Sequence, residues 1–149
     1  MKFSWRMDFK LAGVFALSLI TWFNGVSAQE VNGPYIIGNS IGMQSIDERQ
    51  LTEVFNAELQ FWPNNNRVTV VMHSSKSEHI SKTAAKYYDG SVKGLQRFWL
   101  SIVFQGRAAA PVFLMTEPEI ISYVQQNPGA IAVLYESMGP ENLRVPIKK

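Results

Sequence analysis

The two histidines of the chain, His73 and His79, are the first candidates for chemistry, because imidazole is a common metal ligand and general base. They lie six positions apart, with Glu78 next to the second. Two histidines that bind a metal from one helix face are four positions apart, and no obvious third ligand follows. We therefore expect no metal site and interpret both histidines as solvated loop residues.

Nucleophilic catalysis has no signature in the sequence. The chain contains no cysteine, which excludes thiolate chemistry, disulfides, Cys-ligated zinc and iron–sulfur clusters. It has no Gly-x-Ser-x-Gly elbow and no glycine-rich segment with P-loop spacing. Glu117 and Glu119 form a carboxylate pair, but Thr116 to Glu119 is a capping box with Pro118 in the first turn, which explains both. We expect no enzyme activity and no cofactor.

Composition is that of one ordinary globular domain. The chain has 149 residues, of which 46% are hydrophobic and 17% are charged, and its formal net charge is +2. This length corresponds to a single domain, and the balance of residues is too apolar for a disordered chain. Without an obvious basic patch, nucleic-acid binding is not expected.

The N-terminus, residues 1–28, is organised like an export signal. A basic start precedes the uncharged residues 11–23, and small side chains lead to a cleavage site after Ala28. Cleavage leaves residues 29–149, which carry equal numbers of basic and acidic side chains. We expect a periplasmic protein that meets the membrane only transiently, through this signal. The alternative is an uncleaved anchor, because residues 11–29 are uncharged and nearly long enough to cross a bilayer.

The rest of the chain alternates between strand and helix patterns. A capping box at residues 45–48 predicts a helix from about Ile46 to Asn56, and further helices are expected to start near Ser77, at Val92 and at Thr116. Strands are expected at residues 35–38, 68–72, 111–115 and 130–135, with a possible last strand at 143–147. Residues 68–72 are apolar on both faces and predict a central strand. The alternation predicts an α/β fold with helices on both faces of the sheet.

Several landmarks from Leu51 onward follow a distinctive order. They are residues 51–55, Phe61-Trp62, residues 68–71 with a serine-containing loop and a helix after them, Phe98-Trp99, residues 104–106, Pro111, and residues 123–132, of which Pro128 to Ile131 are the most specific. This order resembles the phosphate-binding proteins of bacterial ABC uptake systems, within the type II periplasmic binding proteins. The resemblance covers about residues 35–147 and matches the second of the two lobes that close over the ligand. It implies a single three-layer lobe with a mixed sheet.

The same resemblance implies where a ligand would bind. In the family, the loop after the strand equivalent to residues 68–72 carries an Arg-x-Asp-Gly-Ser-Gly-Thr motif that holds phosphate at a helix N-terminus. Here residues 73–79 read His-Ser-Ser-Lys-Ser-Glu-His. The implied ligand-binding residues are His73, which replaces the arginine, with Ser74, Ser75, Lys76 and Ser77. The alternative is a polar loop without a ligand, in which Ser77 caps the helix.

Two functions follow from the resemblance. The first is a non-catalytic periplasmic solute-binding protein for phosphate or a similar oxyanion, linked to ABC-type phosphate uptake. The alternative is a protein-interaction or scaffold module that kept the lobe fold and lost the ligand. Since a lone lobe has half of a cleft, a protein partner or self-association could replace the missing half. We expect five aromatic residues to lie in the core: Trp62, Phe98, Trp99, Phe104 and Phe113. We expect the loop at residues 108–111 to be apolar and exposed.

Overall fold

The computed structural model describes residues 33–149, which form a four-stranded sheet, a small two-stranded sheet and four helices. In chain order the elements are β1 (Tyr35–Gly38), β2 (Ile46–Asp47), α1 (Glu48–Phe55), β3 (Thr69–His73), α2 (His79–Tyr87), α3 (Val92–Phe104), β4 (Val112–Leu114), α4 (Glu117–Gln126), β5 (Ala130–Leu134) and β6 (Ile147–Lys148). A 3-10 turn, Glu141–Leu143, precedes β6. The predicted signal peptide, residues 1–28, lies outside the described residues.

The main sheet is mixed, with the strand order β1-β5-β3-β4. β3 runs parallel to both of its neighbours, with Val71 opposite Ala132 on β5 and Val112 on β4, and β1 pairs antiparallel with β5. This confirms the prediction that the strand beginning near Val68 is central. Because β3, β4 and β5 are parallel, the loops that follow them meet at one edge of the sheet. Any site built from these loops lies at that edge.

Helices cover both faces of the sheet, as predicted. Alternate residues of a strand point to opposite faces, so Val70 and Met72 join one core cluster while Val71 joins the other. The first cluster contains apolar residues of α1, α2 and α3, and the second contains Ile120 and Val124 of α4. The domain is therefore a three-layer α/β unit. Within residues 33–149, no helix combines the length and the apolar character that crossing a membrane requires.

The start of α1 differs from the prediction. The residue that caps it is Asp47, whose carboxylate accepts a hydrogen bond from the Gln50 backbone N–H at 2.8 Å. The Gln50 side chain accepts one from the Asp47 N–H at 3.0 Å. The predicted capping box at residues 45–48 is wrong because Ile46 and Asp47 form β2, which pairs with Ile147 and Lys148. The helix can begin only after that strand.

The C-terminal segment also differs. The predicted last strand is present with other bounds: it is Ile147–Lys148 rather than residues 143–147, since Glu141–Leu143 forms a 3-10 turn. The segment still contacts the sheet, because the Val145 N–H donates to the Ile36 carbonyl at 2.9 Å. This contact lies along the outer edge of β1.

The five aromatic residues expected in the core divide into two groups. Trp62 and Trp99 are buried and Phe98 is half-buried, as predicted. Phe104 is 83% exposed and Phe113 is 42% exposed, so the expectation is wrong for these two. Phe104 is the last residue of α3 and faces away from the sheet, and Phe113 lies on the edge strand β4. In the loop predicted to be exposed, Ala109 and Ala110 are exposed but Pro111 is buried.

Candidate functional site

Residues 74–78 connect the carboxyl end of β3 to α2. The Ser74 N–H donates to the Leu114 carbonyl at 2.7 Å, and the Ser77 N–H donates to the Ser74 carbonyl at 2.9 Å. These bonds fix a tight turn between the two elements. The side chains of Ser75 and Lys76 are exposed, while those of Ser74 and Ser77 are half-buried. The structure thus places four of the five predicted ligand-binding residues on one loop, which we call the serine loop (residues 74–77).

The helix after the serine loop begins at His79, two residues later than expected. Glu78 occupies the cap position in a helical conformation, and its side chain makes no capping hydrogen bond. The Ser77 hydroxyl instead accepts a long hydrogen bond, 3.3 Å, from the His79 N–H. The negative charge of the Glu78 carboxylate interacts favourably with the positive end of the helix dipole. It also competes with any anion at the same helix start.

His73, the fifth predicted residue, does not lie on this loop. It is the last residue of β3 and only 1% exposed. Its ring lies 5.1 Å from the ring of His79 and 5.8 Å from that of Tyr135, measured between centroids. The interpretation of both histidines as solvated loop residues is therefore wrong. β3 continues one residue beyond the predicted strand, and α2 begins with His79 turned inward against the same tyrosine.

Glu117 lies next to His73 and is 3% exposed. Its carboxylate accepts hydrogen bonds from the backbone N–H groups of Tyr135, Glu136 and Ser137, and from the Ser137 hydroxyl. It thereby holds the segment after β5 against the start of α4. Capping explains Glu119, which completes the predicted box with Thr116. It does not explain Glu117, and that part of the sequence interpretation is wrong.

The two histidines each face a carboxylate. The distance from His79 Nε2 to Glu136 Oε1 is 2.6 Å, and that from His73 Nε2 to Glu117 Oε1 is 3.7 Å, too long for a hydrogen bond. His73 Nε2 and His79 Nδ1 are buried without a hydrogen-bond partner among the described residues. Within residues 33–149, no group of three or more potential ligands has a geometry suited to a metal ion.

Burial lowers the pKa of His73 below its ordinary value of 6.5, and the neighbouring His79 lowers it further. Glu117 and Glu136 act in the opposite direction with a smaller effect. His73 is therefore neutral at pH 7. The position at which the resemblance implies an arginine therefore carries no charge in this protein.

This pKa predicts a pH dependence of stability. Between the lowered pKa and 6.5, the unfolded chain binds a proton at His73 that the folded protein does not, so the free energy of unfolding falls as the pH falls through this window. We expect His73→Gln to flatten the dependence on pH just below 6.5, measured by urea unfolding. Carboxylates lower stability at acidic pH in both proteins, so the difference between the two curves is the readout. Identical slopes for the two proteins would contradict the prediction.

A pocket of about 190 Å³ opens beside the serine loop. Its polar lining is Ser74, Ser75 and Gln96, and its apolar wall includes Ile80, Leu95 and Phe113. Lys76 forms no salt bridge with any of residues 33–149. The loop therefore combines three hydroxyl groups with one unpaired cation at a helix start.

Comparison with known proteins gives structural neighbours only. No protein-family model and no curated protein sequence matches the chain. Its fold is similar to that of an ABC-type phosphate transport receptor from Vibrio cholerae, with 12% identity and a TM-score of 0.52 over 79% of this chain and 47% of that one. It is also similar to PstS from Borrelia burgdorferi, with 14% identity and a TM-score of 0.52 over 78% and 47%.

A third neighbour is a Clostridium perfringens protein with bound phosphate, described as a phosphate ABC transporter substrate-binding protein. It shares 17% identity and a TM-score of 0.50 over 78% of this chain and 45% of its own. The chain thus spans about half the length of each neighbour. This confirms the predicted resemblance and the single-lobe α/β fold, and at such identities the likeness concerns the fold.

Sequence reasoning missed the inner part of the site. Glu117, Tyr135 and Glu136 join His73 and His79 only through the parallel pairing of β3 with β5 and the packing of α4. One signal was available, since Glu117 lies three residues after the end of β4 and precedes a proline. On its own, that signal predicts a helix start but does not identify the residues that Glu117 contacts.

Proposed function

We propose that this protein is a non-catalytic periplasmic solute-binding protein that holds phosphate or a similar oxyanion at the serine loop and takes part in ABC-type phosphate uptake. The observation that carries the proposal is the position of this loop. It follows the central parallel strand, precedes a helix N-terminus and presents three serine hydroxyls with Lys76. The fold is one that phosphate transport receptors share.

Physical chemistry supports an anion at this position. The first N–H groups of a helix have no partner within the helix, and the dipole places partial positive charge there. Hydroxyl groups add neutral donors, and Lys76 adds a full charge. Because His73 is neutral and buried, Lys76 is the cation of the loop, a point charge without the two-pronged geometry of arginine. We therefore propose weaker and less selective binding than a bidentate arginine site gives.

A single lobe covers one side of a bound anion. Ser75 and Lys76 are exposed, so a ligand held there would face solvent on its other side. We propose that a second copy of the chain or another protein closes over the ligand, in the role that a second lobe has in two-lobed binding proteins. Such closure would exclude water and strengthen the charged contacts.

Thermal unfolding with and without millimolar phosphate tests the proposal, with sulfate as the ionic control. A ligand at about 100 times its Kd adds about 2.7 kcal/mol to stability, which raises Tm by several degrees in a domain of this size. We expect a rise with phosphate that Lys76→Gln abolishes. Lys148→Gln, which removes an exposed charge from β6, is the matched control and should keep the rise.

The scaffold module is the second candidate, and two observations favour it. His73 supplies no charge at pH 7, and Glu78 places a negative charge at the helix start. Equal shifts that Lys76→Gln abolishes would contradict only a preference for phosphate. If neither phosphate nor sulfate gave a shift, or if Lys76→Gln left the shifts unchanged, the oxyanion proposal would be wrong. The scaffold function would then remain.

A further inference from the structure

The solvent face of α3 carries a stripe of basic and apolar side chains. Lys93, Arg97, Leu100 and Phe104 are spaced by four, three and four residues. At about 100° per residue they lie within roughly 60° of one another around the helix axis. The residues that pack into the core lie on the other side of the helix; they are Leu95, Trp99 and Ile102.

The apolar members of this face are open to solvent. Phe104 is 83% exposed, Leu100 is 59% exposed and the adjacent Val103 is 38% exposed. A surface helix normally has polar residues opposite its packed side. Here three large apolar side chains are grouped in the C-terminal turns of the helix. Single exposed apolar residues are common on protein surfaces, but a group of them forms an apolar patch.

The charged side chains on the stripe itself are both basic. Lys93 and Arg97 lie on the stripe, and residues 90–116 include no acidic residue. Arg107 lies just beyond the helix and lines a pocket with Glu58 and Asp89, to which α3 contributes residues outside the stripe. None of these three basic side chains forms a salt bridge with the rest of residues 33–149. Pairing this face with the same face of a second copy would bring like charges together. The occupant should therefore be anionic and apolar.

We propose that the α3 face, defined as Lys93, Arg97, Leu100, Val103 and Phe104, binds the surface of an anionic lipid bilayer. Phe104 and Leu100 enter the boundary between headgroups and acyl chains, and the basic residues contact lipid phosphates. Interfacial helices of peripheral proteins combine apolar and Lys/Arg residues in this way.

The shape of the face favours a bilayer over a protein groove. Phe104 ends the helix, a turn through Gly106 follows it, and its side chain is largely exposed, so it projects into solvent. A protein partner would need a pocket complementary to these projecting side chains. A fluid bilayer adapts to it without such a pocket.

Co-sedimentation with lipid vesicles tests the proposal on the purified protein. We expect binding to mixed phosphatidylglycerol–phosphatidylcholine vesicles, weakened by salt, and none to phosphatidylcholine alone. Phe104→Ser should lower the partition coefficient about tenfold, the size of effect that burying one large apolar side chain produces. The matched control is Phe61→Ser, because Phe61 is a 58% exposed aromatic residue outside the face; it should bind like the wild type.

A second pair of variants separates charge from position. Lys93→Gln with Arg97→Gln should weaken binding to anionic vesicles and reduce its salt dependence. Lys148→Gln with Lys149→Gln removes the same net charge from the C-terminus and should leave binding close to wild type. Circular dichroism checks that every variant is folded.

Three results would overturn the proposal. They are no binding to anionic vesicles, equal loss of binding in the face variants and their controls, or self-association that Phe104→Ser abolishes in a protein without vesicle binding. The last result would assign the face to a second copy. None of these results depends on phosphate binding at the serine loop.

Discussion

Replacing Glu117 with alanine is expected to lower the free energy of unfolding by about 3–5 kcal/mol. The buried carboxylate accepts hydrogen bonds from three consecutive backbone N–H groups, those of residues 135–137, and from the Ser137 hydroxyl. Alanine removes every one of these bonds. The three N–H groups then have no acceptor in a site that water reaches poorly, and each unsatisfied group carries a desolvation cost.

Glu119→Ala is the matched control, because it removes the same charge two positions later in the same helix. The Glu119 side chain is exposed and accepts from the Met115 and Thr116 N–H groups at 3.0 and 3.1 Å. Loss of this capping interaction should cost about 1 kcal/mol. Urea unfolding measures both variants, and equal losses would contradict the role assigned to Glu117. Hydrogen exchange adds a local readout, since the amides of residues 135–137 should lose protection selectively in Glu117→Ala.

The parts of the fold that depend on local sequence could be predicted well. The capping box that begins at Thr116 predicts α4. The β-branched run after Val68 predicts a strand, and because both of its faces are apolar it also predicts a central position in the sheet. Each of these signals is complete within a few residues. Prediction failed where the bounds of an element depend on a distant segment. Asp47 caps α1 because Ile46 and Asp47 pair with a strand 101 positions further along the chain.

The candidate site shows the same division. The serine loop could be assigned from the resemblance, because it is one continuous segment between a strand and a helix. The environment of His73 could not, since its neighbours His79, Glu117 and Tyr135 come from three other parts of the chain. A difference of one residue in the end of β3 separates a solvated loop histidine from a buried, neutral one. This difference changes the expected charge of the site.

Gly129→Ala is expected to lower the free energy of unfolding by about 3 kcal/mol or more. Gly129 has φ +85°, and a methyl group there would overlap the carbonyl oxygen of Arg67. A left-handed conformation costs a residue with a side chain about 1–2 kcal/mol, and overpacking against fixed backbone adds about 1–3 kcal/mol. The glycine carbonyl also accepts from the Trp62 indole N–H at 2.8 Å and from the Thr69 N–H at 3.1 Å.

Gly106→Ala separates the two costs. Gly106 has a similar φ, +67°, but a methyl group there meets nothing within 4 Å, so only the conformational cost of about 1–2 kcal/mol applies. If the two variants were equally destabilised, the contact with Arg67 would contribute nothing. The contact should matter beyond stability, because Arg67 lies two residues before β3. A displacement at that end of the strand would be transmitted along it to His73 and the serine loop, so we expect Gly129→Ala to impair any anion response at temperatures where the variant is still folded, and Gly106→Ala to preserve it.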